Sequence, residues 1–223
     1  MTATSARFLG DDILPDDSDL VPIHDREYRV RAYRLAQDKI LIRGAVRDQK
    51  PPGLYISHDP EPITVHHMVV ELEVGYPTLT IERAQVVFQT FPHSTCSMIT
   101  DHYRNLEGLS IARGFSNKVR ELFGGPRGCT HTTALLLAMG PVAVQCAWSM
   151  RTFETPEGDA PALRMGFGRD PDDESWKMNI GTCHEWAEGG PAYRRAESQG
   201  DWGIPVFMRE RAASFGLELG EAP

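Results

Sequence analysis

The chain has 223 residues, of which 41% are hydrophobic and 24% are charged, and its formal net charge is −8. A chain of this length and composition can bury a core without disulfides or a structural metal. A negative molecule repels the phosphate backbone, and no Lys/Arg stripe interrupts the acidic balance. We therefore predict a globular protein that acts on a small molecule and has no nucleic-acid partner.

Acidic side chains are concentrated near the N-terminus, beside Pro15, at Asp11, Asp12, Asp16, Asp17 and Asp19. Such a run predicts a solvated, disordered arm over residues 1–20, followed by one α+β domain over residues 21–223. The N-terminus lacks the basic-then-apolar pattern of a secretory signal, and the four cysteines have no CxxC spacing. We therefore predict a cytoplasmic protein with reduced thiols.

The first half of the domain predicts strands, because apolar and polar residues alternate there with a period of two. The segments are 27–35, 39–47, 64–74 and 78–90. The short linker 36–38 predicts a hairpin between the first two. In the fourth segment the apolar phase switches near Arg83, which predicts a β-bulge.

In the second half of the domain, the spacing of apolar residues predicts helices. A helical period over residues 96–106, with Ser94 as its cap, is followed by a short helix at 115–123 and a long apolar helix at 129–150. The apolar run at 134–150 is short for a membrane span and contains Gly140-Pro141, so we predict a kinked core helix and no membrane partner. Loops are expected at 156–161 and 170–175, and a last short strand at 176–186. The fold class is α+β, an antiparallel sheet of N-terminal strands packed against a C-terminal group of helices.

Several short segments, taken in order, resemble the bacterial domain-of-unknown-function family 2889. They are Ile23-His24-Asp25-Arg26, Asp48-Gln49-Lys50-Pro51, His66-His67-Met68, Phe91-Pro92 with Cys96, Leu106-Glu107-Gly108-Leu109 with Gly114-Phe115, Gly128-Cys129-Thr130-His131 and Cys183-His184. Two positions depart from the family pattern, which usually has an acidic residue at His67 and Leu at Thr132. The first departure changes the charge beside any site built around His66. The resemblance implies an enzyme of bacterial small-molecule catabolism.

His66 is the first candidate for chemistry. By strand alternation it shares a face with Met68 and Val70, so an ionisable ring faces an apolar interior. An imidazole in that position can serve as a general base or a metal ligand. The alternative is a structural histidine that is hydrogen-bonded in the core.

Cys129 and His131 form a second candidate pair at the start of the long helix, after the Gly-rich turn 124–128. Unpaired backbone N–H groups there favour a thiolate or an anionic substrate group, and Arg127 can bind a carboxylate. The alternative is that Cys129 is a small buried residue and His131 a capping or core group.

Three further residues are weaker candidates. Tyr103 lies on a helical apolar stripe, where it serves as a proton donor or as core packing. Asp48 ends a strand beside Lys50, so it is either an acid partner or a turn residue. His67 follows His66 and is assigned to substrate binding.

We predict a cofactor-independent enzyme that uses general acid–base catalysis, with His66 as base and His131 as partner. The most suitable class is a lyase performing retro-aldol-type C–C cleavage, elimination or decarboxylation on an aromatic or similar catabolite. The predicted catalytic residues are His66, His131, Cys129 and Tyr103, and the predicted substrate-binding residues are Arg127, His67 and Asp48.

Two alternatives stay open. One is a zinc- or iron-dependent hydrolase or lyase with ligands His66, Cys129, His131 and Cys183, although the chain has no CxxC or HExxH spacing. The other is a non-enzymatic ligand-binding or assembly subunit, and a homo-oligomer is compatible with either. Motifs for a serine hydrolase elbow or a nucleotide phosphate cradle do not occur.

Overall fold

A four-stranded antiparallel sheet forms the first half of the fold. The computed structural model describes residues 13–16, 18–154, 174–199 and 204–217. The strands lie in the order β1-β2-β3-β4. Their bounds are Asp25–Ala36 for β1, Lys39–Lys50 for β2, Ile63–Gly75 for β3 and Thr80–Thr90 for β4.

The predicted strands and the α+β class are confirmed. The first two strands form the predicted hairpin, although β1 and β2 extend further at their open end than the alternation indicated. The bulge near Arg83 is also present, because the β3–β4 register shifts where Glu73 pairs with Arg83 and Val74 with Ile81. The extra residue between them explains the switch of apolar phase.

The helices follow the sheet. Residues Cys96–Leu106 form a 3-10 helix, and the α-helices are α1 at Phe115–Phe123, α2 at Thr130–Glu154, α3 at Pro191–Gln199 and α4 at Val206–Ala213. The bounds of α1 are those predicted. The prediction of a Ser94 cap is wrong, because the N-cap is Thr95 and its side chain makes no capping hydrogen bond.

The predicted last strand at 176–186 is also wrong. The chain there continues a 3-10 helix, Glu174–Asn179, and then passes through turns. The predicted loop 156–161 and most of 170–175 lie outside the described residues. Of the predicted arm, residues 13–16 and 18–20 are exposed, and the others lie outside the described residues.

The core lies between one face of the sheet and α2. The strands supply Ile42, Val46, Val70 and Leu72, and the helix supplies Leu135, Leu136, Met139 and Ala143, all of them fully buried. Gly44 of β2 lets the helix approach closely, since a Cβ there would lie 2.9 Å from the Met139 sulfur. The helix packs against β1, β2 and β3.

By length and composition alone, α2 is apolar enough to cross a membrane, over Thr130–Phe153. This is weak evidence, because buried core helices of globular proteins have the same composition. One side of the helix is buried against the sheet, and 39% of its most apolar stretch is buried. The helix also continues through Pro141 to Glu154, four residues beyond the predicted end.

Candidate active site

A polar row crosses the end of the otherwise apolar inner face of the sheet. In the strand register, Arg26 of β1 pairs with Asp48 of β2, and Asp48 pairs with His66 of β3. Paired residues in an antiparallel sheet point to the same face. The register therefore brings a cation, a carboxylate and an imidazole into one line, on the face that α2 covers.

Asp48 is the centre of this row and is only 2% exposed. Its carboxylate accepts two hydrogen bonds from the Arg26 guanidinium, at 2.5 Å from Nε and 2.7 Å from Nη2. Oδ2 also lies 3.0 Å from His66 Nδ1 and 3.0 Å from His131 Nε2. His24 Nε2 lies 3.7 Å from Oδ1. The Arg26 hydrogen bonds lower the pKa of Asp48 to about 2, so the carboxylate is ionised at neutral pH.

His131 reaches the row from the first turn of α2. Its ring stacks on that of His66, with the ring centroids 3.9 Å apart and the planes at 28°. Burial lowers the pKa of His131, and the neighbouring His66 lowers it further. Each imidazole directs one nitrogen to Asp48, which leaves His66 Nε2 and His131 Nδ1 for other partners. The second of these lies 3.8 Å from Cys129 Sγ.

Tyr103 contacts the residue that precedes α2. Its hydroxyl oxygen accepts a hydrogen bond from the Cys129 backbone N–H at 2.8 Å, and its ring stacks on Phe123 at 4.7 Å. The side chain is fully buried, and burial raises its pKa. Of the two roles predicted for Tyr103, these contacts favour core packing, and the hydroxyl also fixes the backbone of Cys129.

Three other predicted site residues lie elsewhere. The Arg127 guanidinium donates to the Arg120 carbonyl oxygen near the end of α1, at 3.2 Å. His67 points to the opposite face of the sheet, where burial and the nearby Arg47 lower its pKa. Cys183 is exposed in a turn of the C-terminal region.

The sequence reasoning missed Arg26 and His24 as site residues, and it gave Asp48 two possible roles, an acid partner or a turn residue at the end of a strand. Asp48 lies inside β2, two residues before the strand ends, so its side chain keeps the alternation of the strand. The pairing of Arg26 with Asp48 could have been found by counting residues outward from the β1–β2 turn, which was correctly predicted.

The set that can hold a metal ion differs from the predicted one. Among the described residues, the group of possible ligands is Asp48, His66 and His131, whose ligand atoms lie within 4.8 Å of one another. Two imidazoles and a carboxylate suit zinc or non-haem iron. Arg26 opposes such binding, because a divalent cation beside this single carboxylate would face the guanidinium charge.

Acidification should lower the free energy of unfolding. The pKa of His131 is below its ordinary 6.5 in the folded protein, so the unfolded chain takes up that proton first as the pH falls below 6.5. Asp48 acts in the same direction, since its stabilising charge is present above 3.8 and is lost as the pH falls towards 2. Urea unfolding between pH 7 and pH 5 measures the contribution of His131 to this loss of stability.

His131→Gln keeps an N–H donor for Asp48 but removes the titrating ring, so it should reduce the slope of stability against pH. The exposed His93 outside the row provides the control, and His93→Gln should keep the wild-type slope. An unchanged slope in His131→Gln would show that His131 does not couple to folding in this way.

A family model described as a protein of unknown function, DUF2889, matches residues 24–145. The match begins at His24 and includes Arg26, Asp48, His66 and His131, but ends before Cys183. No curated protein and no solved structure matches the chain.

Proposed function

Because the chain belongs to the DUF2889 family, whose description assigns no activity, we propose its function from the site: general acid–base catalysis on a small molecule, without an organic cofactor. The observation that carries this proposal is the buried Asp48 carboxylate, which contacts two stacked imidazoles and one guanidinium. Buried charges in proteins are paired, and here the pairing also orients two proton-transfer groups.

His66 is the proposed base. Its Nδ1 donates to Asp48, and this hydrogen bond selects the tautomer in which Nε2 carries the lone pair. A buried carboxylate that orients an imidazole is a recurrent way of preparing a base. The His66 side chain is 23% exposed, so a substrate can approach its ring.

His131 is the proposed proton-transfer partner. The two rings are in contact, and the neighbouring His66 lowers the pKa of His131. The pair therefore suits a mechanism in which a single proton is taken up and returned. The Arg26 guanidinium, whose side chain is 39% exposed, supplies a fixed positive charge where negative charge develops on the substrate.

A lyase reaction suits these groups best. In a retro-aldol cleavage, His66 Nε2 would take the proton of a substrate hydroxyl, and the O–H electron pair would form the new carbonyl. The adjacent C–C bond breaks, its electron pair goes to the leaving carbon, and that carbon regains a proton from the imidazole pair. An aromatic or similar catabolite is the proposed substrate, because a ring attached to that carbon delocalises the charge.

The experiment is a turnover screen with and without metal removal. Purified protein, untreated or treated with EDTA, is incubated with aromatic β-hydroxy ketones, β-hydroxy acids and 2-oxo acids, and the products are followed by mass spectrometry. We expect turnover of at least one compound at equal rates in both samples, because Arg26 already balances the Asp48 charge.

Activity lost with EDTA and restored by zinc or iron would replace this proposal with the metal-dependent one. Binding of panel compounds without conversion would favour a ligand-binding or assembly subunit. Elemental analysis of the untreated protein accompanies the screen, and we expect metal far below one ion per chain.

A further inference from the structure

We infer that the cleft between β1 and the C-terminal half of α2 binds the aromatic frame of the substrate, an inference that rests on the proposed function and adds the ligand class to it. The cleft has a volume of about 930 Å³. Small-molecule sites in proteins have volumes of roughly 300–1,000 Å³ and mostly apolar walls. The cleft is therefore of the right size for an aromatic compound.

The cleft exists because α2 leaves the inner face of β1 partly uncovered. On β2, the inner positions Ile40 and Ile42 are at most 2% exposed. On β1, Val30 and Ala32 face the same side but are only half-buried. The helix approaches β2 closely at Gly44 and also packs against β1, so residues of β1 and of the C-terminal half of α2 form the walls of the cleft.

The lining combines an apolar part with charged side chains of β1, which are Asp25, Glu27, Arg29, Arg31 and Arg34. Val30 and Ala32 of β1 face Val142, Cys146 and Met150 of α2 across the cleft. Burial raises the pKa of Cys146 to about 11, so the thiol on this wall stays uncharged at neutral pH. These side chains offer dispersion contacts to a flat ring.

The two ends of the cleft differ. At the far end, the Arg34 guanidinium lies 5.3 Å from the centre of the Phe153 ring, which is 58% exposed. At the near end, Tyr28 lines the cleft and its hydroxyl interacts with the guanidinium of Arg26, in the polar row. A ligand whose ring lies at this near end, beside Tyr28, can therefore extend its reacting polar group towards Arg26.

The test uses prodan, a neutral naphthalene fluorophore whose emission shifts to the blue in apolar surroundings. Wild-type protein should bind it saturably with a blue shift. Ala32→Trp fills the cleft and should weaken binding by about tenfold or more. Ala45→Trp puts the same side chain on the outer face of the neighbouring strand, where it should leave binding unchanged.

His66→Ala separates this inference from the proposed function, since it should keep prodan binding while losing turnover. Absent binding in the wild type, or equal binding by the two Trp variants and the wild type, would overturn the cleft assignment and leave the acid–base proposal standing. If circular dichroism shows that Ala32→Trp is unfolded, Phe153→Ala replaces it. Weaker binding by that variant supports the inference, and unchanged binding overturns it.

Discussion

Asp48→Asn should lower the free energy of unfolding by about 2–4 kcal/mol. The carboxylate is 2% exposed and accepts from Arg26, His66 and His131. An asparagine of the same shape presents an NH2 group to partners that are themselves donors, and it removes the charge that balances Arg26. The range lies below that of a fully buried ion pair because Arg26 is partly exposed. Urea unfolding followed by circular dichroism measures the change.

A carboxylate on the other face of the sheet provides the control. Glu71 accepts from Arg43 Nε at 2.6 Å, but both side chains reach solvent. Glu71→Gln should therefore change stability by only about 0.5 kcal/mol or less. If Asp48→Asn cost no more than this control, Asp48 would not be the structural centre of the row.

His66→Ala should lower kcat/KM by about 10²–10⁴-fold on whichever panel compound is converted, the range for loss of a positioned acid–base group. The substitution removes Nε2, the proposed proton acceptor, and also a hydrogen bond to Asp48 worth about 1 kcal/mol of stability. The fold should survive this loss, so the kinetic effect can be measured on folded protein.

His67→Ala is the matched control, because it removes the same side chain from the next residue on the opposite face. It should keep turnover close to that of the wild type. Equal losses in both variants would point to a general disturbance of β3, and wild-type turnover in His66→Ala would eliminate His66 as the base.

Much of the fold could be predicted from the sequence because β2, β3 and β4 each have one buried face and one face that is more exposed to solvent. That contrast is clear in β2, where Ile40, Ile42 and Val46 are buried and Arg43 is exposed. The 3-10 helix at Cys96–Leu106 is less distinct, since residues three apart share a side in both 3-10 and α-helices. The error at 176–186 came from aromatic residues, because Trp176 and Trp186 suggest a strand but stack on each other across turns.

The candidate site was only partly predictable for a physical reason. His66 and His131 were expected to work together, and the structure stacks them. Arg26 could not be found by apolar periodicity, and Asp48 was assigned to the end of its strand, because that pattern treats a charged inner residue as the end of the strand. Only pairing between strands shows that their charges compensate each other.

The Arg26–Asp48 pair also has a consequence for how the hairpin opens. The β1–β2 turn lies at Gln37 and Asp38, and the pair lies at the opposite, free end of the ladder. Ladder ends fray first and show the weakest amide hydrogen-exchange protection. Here the bidentate Arg26–Asp48 ion pair joins the two strands at that end, and His131 connects Asp48 to α2. Exchange at the backbone amides around Arg26 should therefore report whether the polar row is assembled.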